Sequence, residues 1–179
     1  MTLVCFKGQN HQQQVAVRGA LDEVDDRGTD PTWFATIAER FGGFTLDVAA
    51  APHNAKCARY YTRADDGLTL PWSSGPTGPR EHVWCNPPYS NLGAWLAKAW
   101  AEWAEFAGPA LIVMLLPANR TEQAWWQTHV EPFRDRADTG LSVEFLPGRM
   151  RFIRPGATEI GPNERPPFGC CLLVWSVAS

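Results

Sequence analysis

The run HVWCNPPYS occupies residues 82–90, and Asn86, Pro87, Pro88 and Tyr89 are the residues in it equipped for chemistry. The Asn86 side-chain oxygen and the Pro87 carbonyl are two hydrogen-bond acceptors presented close together. Such a pair suits an exocyclic amino group on a planar base. The lone pair of that amine is delocalised into the ring, so the amine is a poor nucleophile. Acceptors that take its protons favour a pyramidal nitrogen with a lone pair ready to attack a methyl donor. The two prolines restrict the backbone, and rigidity matters because a displacement of about 1 Å can cost roughly a hundredfold in rate. Tyr89 offers a face for an extruded base, and stacking of that kind contributes about 1–3 kcal/mol. That is comparable with the few kcal/mol needed to flip a base. The plain alternative is a strand-ending turn with no chemistry.

Elements must hold this tip. His82 to Cys85 reads as a strand that stops at the prolines, and open α/β sheets bind ligands beyond such strand ends. Asp30-Pro31 reads as a helix start, with Asp as N-cap and Pro in the first turn. Phe34, Ile37, Ala38 and Phe41 recur at helical spacing up to Gly42-Gly43. FTLDVAA reads as a short buried strand and ARYYT as a second. Residues 91–106 predict the clearest helix, with Leu92, Leu96, Trp100 and Trp103 on one stripe and Ser90 or Asn91 as cap. ALIVMLL predicts a buried central strand ended by Pro117, and TEQAWWQTHV a further helix. SVEFLP, RMRFI and FGCCLLVWSV predict closing strands, with a Pro/Gly-rich loop at 155–168. This order predicts an α/β domain with a mostly parallel sheet, helices on both faces and an antiparallel edge strand. Residues 1–28 read as an N-terminal arm, flexible or loosely docked, and residues 29–179 as a single domain.

Composition narrows the class. The chain has 179 residues, 45% hydrophobic and 20% charged, with a net charge of −3. That charge argues against a nonspecific nucleic-acid coat but allows a local basic face. Arg149, Arg151 and Arg154 are crowded together and Arg165 follows; a solvated loop is the alternative. The five cysteines form no C-x-x-C pair and the four histidines lack ligand spacing, so reduced thiols and no metal are expected. Cys170 and Cys171 are expected to point to opposite faces of a strand. No signal peptide or membrane-spanning run is read, so a cytoplasmic protein is expected.

In ordered combination, VWCNPPYS, LDVAA with NAKCARYYT and ADDGL, FLPGRMRF, and PPFGCCLLVW resemble the class I S-adenosylmethionine-dependent methyltransferases. More specifically they resemble the small phage-type DNA N6-adenine methyltransferases, over roughly residues 30 to 176. The resemblance implies a Rossmann-like fold and methylation of adenine N6 in double-stranded DNA, with S-adenosyl-L-methionine as cofactor. It implies that Asn86 and Pro87 orient the amine, that Pro88 stiffens the tip and that Tyr89 stacks on the base. On the cofactor side it points to Asp47 and Ala49 after the first strand, to Asp65 and Asp66, and to Trp33 at the methionine end. Asp47 as a turn cap, Asp65 and Asp66 as a polar turn, and Trp33 as core are the alternatives. Arg120, Arg149 and Arg151 become candidate DNA phosphate contacts, with a helix-start cap by Asn119 or Thr121 as the duller use of the segment at Arg120. Target selection is expected from loops 73–80, 118–140 and 148–168. NPPY also occurs in enzymes that methylate RNA adenine or protein glutamine, and a non-catalytic cofactor-binding module is a third reading. One departure stands out: DVAAAPHNA has no glycine where many class I methyltransferases carry a Gly-rich loop.

Overall fold

The computed structural model describes residues 28–134, 136–153, 157 and 168–176. The expectations for the arm before residue 28, for Arg154 and Arg165, and for most of the 155–168 loop lie outside the described residues. In chain order the elements are β1 (Gly28–Thr29), α1 (Pro31–Arg40), β2 (Leu46–Asp47), β3 (Arg59–Tyr60) and β4 (His82–Cys85). A 3₁₀ turn (Tyr89–Asn91) leads into α2 (Leu92–Ala104), followed by β5 (Leu111–Pro117), α3 (Ala124–His129), β6 (Leu141–Phe145), β7 (Phe152–Ile153) and β8 (Cys170–Ser176).

Helix α1 forms as its sequence dictates. Asp30 Oδ1 accepts hydrogen bonds from the backbone N–H of Thr32 at 2.8 Å and of Trp33 at 3.4 Å, ahead of Pro31 in the first turn. The helix ends where Gly42 and Gly43 take φ of 73° and 89°, a region glycine enters at little cost. For α2 the cap differs from expectation. Asn91 is the N-cap but makes no side-chain capping bond; the chain enters through the 3₁₀ turn, and the helix stops at Ala104 as Glu105 turns extended.

The fold is mixed α/β, with a six-stranded sheet in the order β3–β2–β4–β5–β8–β6. β3, β2, β4 and β5 pair in parallel, whereas β8 runs antiparallel to both β5 and β6. The expected antiparallel edge is present: β6 forms the edge and pairs antiparallel with β8, which lies inside the sheet. The reason is visible in the side chains. CCLLVW in β8 is buried throughout, as a strand covered on both faces must be. LSVEF in β6 mixes buried and exposed positions, as an edge strand can.

Two cores flank the sheet. Ile112, Met114, Leu116 and Cys171 pack with Leu92, Trp95, Leu96 and Ala99 of α2 and Trp126 of α3. Leu111, Val113, Leu115 and Cys170 pack on the opposite face with Ile37 and Phe34 of α1. Helices therefore cover both faces, and Cys170 and Cys171 do point apart. The four described cysteines are free. Among the described residues no helix is long and apolar enough to cross a membrane.

One buried carboxylate ties a loop to α2. Glu102 accepts the Trp72 backbone N–H at 2.9 Å and pairs with Lys98 at 2.6 Å. Trp72 is fully buried and its indole N–H donates to the Gly67 carbonyl at 2.8 Å. Glu102→Ala would orphan a buried N–H, so chemical denaturation should register a loss of about 1–3 kcal/mol. Glu102→Gln, which keeps an acceptor, should lose less.

Candidate active site

The parallel strands β2, β3 and β4 end along one edge of the sheet, with Asp47 in register with Tyr60 on one side and Trp84 on the other. The backbone ladder continues past their ends: Val48 N–H donates to the Trp84 carbonyl at 3.1 Å and Ala50 N–H to the Tyr61 carbonyl at 2.9 Å. Beyond this edge opens a cleft of about 790 Å³, whose lining includes Thr29, Asp47, Lys56, Asp66, Trp84 and Asn86. Strand ends of this kind leave backbone and side chains of successive elements converging on one space.

Asp47 sits at the bottom of the cleft, 3% exposed. Its Oδ1 accepts the Ala49 N–H at 3.3 Å and its Oδ2 the Lys56 N–H at 3.0 Å. Burial pushes its carboxyl up to about 6, against the pull of these two N–H groups and of the Lys56 charge. Asp47 therefore does form turn bonds, and it also faces the cleft. Ala49 lines the cleft as well, together with Ala50 and Ala51.

The wall formed by residues 62–68 separates the two aspartates. Asp65 is exposed and accepts from the Thr62 backbone N–H at 2.8 Å and hydroxyl at 2.7 Å, which holds its carboxyl below the usual range. It does not line the cleft. Asp66 does, in a left-handed conformation with φ of 56° that few non-glycine residues adopt. Gly67 follows, so close to the end of β2 that a Cβ there would meet the Val48 carbonyl oxygen at 2.2 Å. Only glycine fits this close approach of the 62–68 loop to the end of β2. Nothing in the sequence marks Gly67, Thr29 or Lys56 individually as cleft residues.

The NPPY tip borders the same cleft. Asn86, Pro88, Ser90 and Asn91 line it; Pro87 is buried beneath. Tyr89 packs against the α2-side core, its ring centroid 6.2 Å from that of Phe168. Burial pushes its hydroxyl well above the ordinary tyrosine value, so the ring is neutral and held from one side. Trp33 lies apart from the cleft lining, its ring 6.3 Å from Trp84, which does line it.

Arg120, Arg149 and Arg151 are all exposed. Residue 120 follows the carboxyl end of β5 and residue 149 that of β6, and these strands run the same way because both oppose β8. The arginine-bearing segments therefore leave the sheet at the edge where the cleft opens. Neither Asn119 nor Thr121 caps α3; its N-cap is Gln123. Loop 73–80 belongs elsewhere, which corrects its assignment to the target-facing side. Ser74 and Arg59 bind Glu81, just ahead of β4, and Arg80 donates to the carbonyls of Gly108 and Pro109 at 3.0 and 3.1 Å, ahead of β5. These anchors fix the loop at the opposite edge of the sheet.

Comparison with known proteins gives the chain a family. The family described as DNA N-6-adenine-methyltransferase (Dam) matches residues 19–176. The DNA N-6-adenine-methyltransferase of Escherichia phage T1 is 35% identical over 106 residues, 59% of this chain and 41% of that protein. YfdM of Escherichia coli (strain K12) is 40% identical over 70 residues, 38% of this chain and 77% of that one. The DNA N-6-adenine-methyltransferase of Haemophilus phage HP1 is 34% identical over 68 residues, 37% of this chain and 36% of that protein. The chain thus spans less than half the length of the two phage relatives. With a match running from residue 19 to residue 176, it belongs to the DNA N-6-adenine-methyltransferase (Dam) family.

Proposed function

We propose that the chain methylates adenine N6 in double-stranded DNA with S-adenosyl-L-methionine, on a Rossmann-like class I methyltransferase sheet. The observation that carries the reading is the position of Asn86: it ends the strand beside Asp47 and lines the same cleft. Amine acceptor and cofactor cleft then share a wall, as a direct transfer between their ligands requires.

The cleft suits the cofactor. Its walls combine the apolar surfaces of Val48, Leu68, Trp84 and Trp95 with the carboxylates of Asp47 and Asp66. It also holds a buried hydroxyl, that of Thr29, with no hydrogen-bond partner among the described residues. When bound, S-adenosyl-L-methionine supplies an electrophilic methyl group. Asn86 Oδ1 and the Pro87 carbonyl accept the two amine protons and turn the nitrogen lone pair toward the cleft. Tyr89, backed by the core, supports the face of the extruded base. No dedicated base is required, because the methylated ammonium is acidic and loses its proton to water or a nearby acceptor.

Arg120, Arg149 and Arg151 are read as phosphate contacts. Arg149→Gln and Arg151→Gln should each weaken binding to duplexes of any sequence and lower the salt slope by roughly one. Fluorescence anisotropy across a salt series measures this; unchanged slopes would remove both residues from the interface.

The acceptor is tested by incubating the protein and labelled S-adenosyl-L-methionine with duplex DNA, RNA and protein in parallel. Label recovered as N6-methyladenine from DNA supports the reading. Label confined to RNA adenine or protein glutamine would replace it, and binding without transfer to any acceptor would mark a non-catalytic module.

A further inference from the structure

The loop over residues 118–123 leaves β5 at its carboxyl end, beside the strand that carries the Asn86 tip, since β4 and β5 pair in parallel. Its hydrogen bonds hold it to one shape. The Gln123 N–H donates to the Arg120 carbonyl at 3.2 Å, and the Gln127 side-chain amide donates to the Thr121 carbonyl at 2.7 Å. The Gln123 carbonyl accepts the N–H groups of Trp126 and Gln127, both at 3.0 Å, and Trp126 is fully buried. Trp125 rests on the first turn of α2, where a Cβ on Gly93 would lie 3.8 Å from its own Cβ. Because α2 follows directly from the NPPY tip, loop and tip share one support.

Within this loop the Gln123 side chain does what its position does not require. Gln123 is the N-cap of α3 yet makes no side-chain capping bond. Instead, the Trp125 indole N–H donates to Gln123 Oε1 at 2.9 Å. An indole nitrogen donates only, so the amide has one orientation: Oε1 toward the ring and the Nε2 group away from it. The residue is half-buried, and Nε2 makes no hydrogen bond among the described residues. An oriented donor without a partner is thus held at the edge where Arg120 leaves the sheet.

Bases differ in what they offer such a donor. In the major groove guanine presents N7 and O6, adenine N7 and thymine O4 as acceptors, whereas cytosine presents only its N4 donor. In the minor groove every base pair presents acceptors, so a donor there does not single out cytosine. We propose that Gln123 is a specificity-determining residue: Nε2 donates to the major-groove edge of a base flanking the target adenine, and cytosine is rejected at that position. This rests on the reading that the chain methylates adenine in duplex DNA. Arg120, exposed on the same turn, supplies a phosphate contact that positions the duplex without reading it.

The test incubates wild type and variants with S-adenosyl-L-methionine and a duplex library randomised around adenine, and reads methylated sites by methylation-sensitive sequencing. Wild type should disfavour cytosine about tenfold or more at one flanking position. Gln123→Glu keeps the length and the acceptor for Trp125 but turns the outward donor into an acceptor. That position should then favour cytosine, through N4, or adenine, through N6, over guanine and thymine. Gln123→Met, with neither group, should use all four bases there about equally and leave the rest of the site unchanged. Arg120→Gln should slow methylation of every site alike. S-adenosylhomocysteine binding, equal in all four proteins by isothermal titration calorimetry, controls for folding. If folded Gln123→Glu is inactive, the preference of Gln123→Met decides alone. A wild type indifferent to cytosine, or variants with unaltered target preference, would overturn the assignment and leave adenine methylation standing. If wild type methylates no DNA, the underlying reading falls and this inference with it.

Discussion

Asn86→Ala should lower the rate of methyl transfer by about 10²–10³-fold, the range seen when one preorganised polar group is removed from a reacting centre. The effect is expected in kcat, because in the proposed reaction the side chain orients the amine and does not hold the cofactor. S-adenosylhomocysteine affinity should be largely retained. Asn86→Asp keeps an acceptor oxygen at the same place and should retain more activity than the Ala variant. Single-turnover assays with saturating cofactor separate the two. Equal activity in wild type and Asn86→Ala would remove Asn86 from the chemistry, and equal loss in Ala and Asp would argue that an acceptor oxygen at this place is not sufficient and that the neutral amide is what counts.

The second large effect concerns Asp47. Its carboxyl, pushed by burial to about 6 from an ordinary value of 3.8, is a stability statement as well as a binding one. The sign follows from the direction of the shift. The folded chain holds the proton more tightly than the unfolded chain, so the stabilisation is complete below about 4 and is lost as pH rises through about 6. Across that window ligand-free wild type should lose on the order of 3 kcal/mol relative to Asp47→Asn, which does not titrate. The neutral variant keeps only one acceptor for the N–H groups of Ala49 and Lys56, which offsets part of its gain. Urea denaturation at a series of pH values checks the slope. At neutral pH the charge is therefore kept at a cost, and a cationic ligand group would offset it. Asp47→Asn should accordingly weaken S-adenosylhomocysteine binding by about 10–100-fold, and wild-type binding between pH 4 and 6 should release protons. Calorimetry in buffers of differing ionisation enthalpy reads that release; none at all would mean that Asp47 does not meet the ligand ammonium.

Much of the architecture was legible because it is written locally. The Asp30-Pro31 start of α1 and its glycine stop depend on residues a few positions apart, and both form as the spacing implies. The apolar run of β8 announced a strand, and its side chains are buried throughout CCLLVW, as a strand covered on both faces requires. NPPY was legible because prolines after a strand leave few conformations. What could not be read was set by contacts distant in sequence. The bond from Lys56 to Thr29 joins residues 27 positions apart, and nothing in GTD or NAKC marks either residue. Gly67 acquires its meaning only from the nearness of the Val48 carbonyl. Loop 73–80 has the composition of any surface loop, and only the anchoring of Ser74 and Arg80 assigns it to the far edge of the sheet. Asp65 and Asp66 are adjacent in sequence, yet a turn bond to Thr62 holds one while the other, left-handed, faces the cleft.

The central claim is that the Asn86 tip methylates adenine in DNA. Nucleoside mass spectrometry of DNA from cells lacking other adenine methyltransferases, expressing either wild type or Asn86→Ala, tests it most directly. N6-methyladenine is expected with wild type and almost none with the variant at equal levels of folded protein. Absence of N6-methyladenine with both, or equal amounts with both, would contradict it.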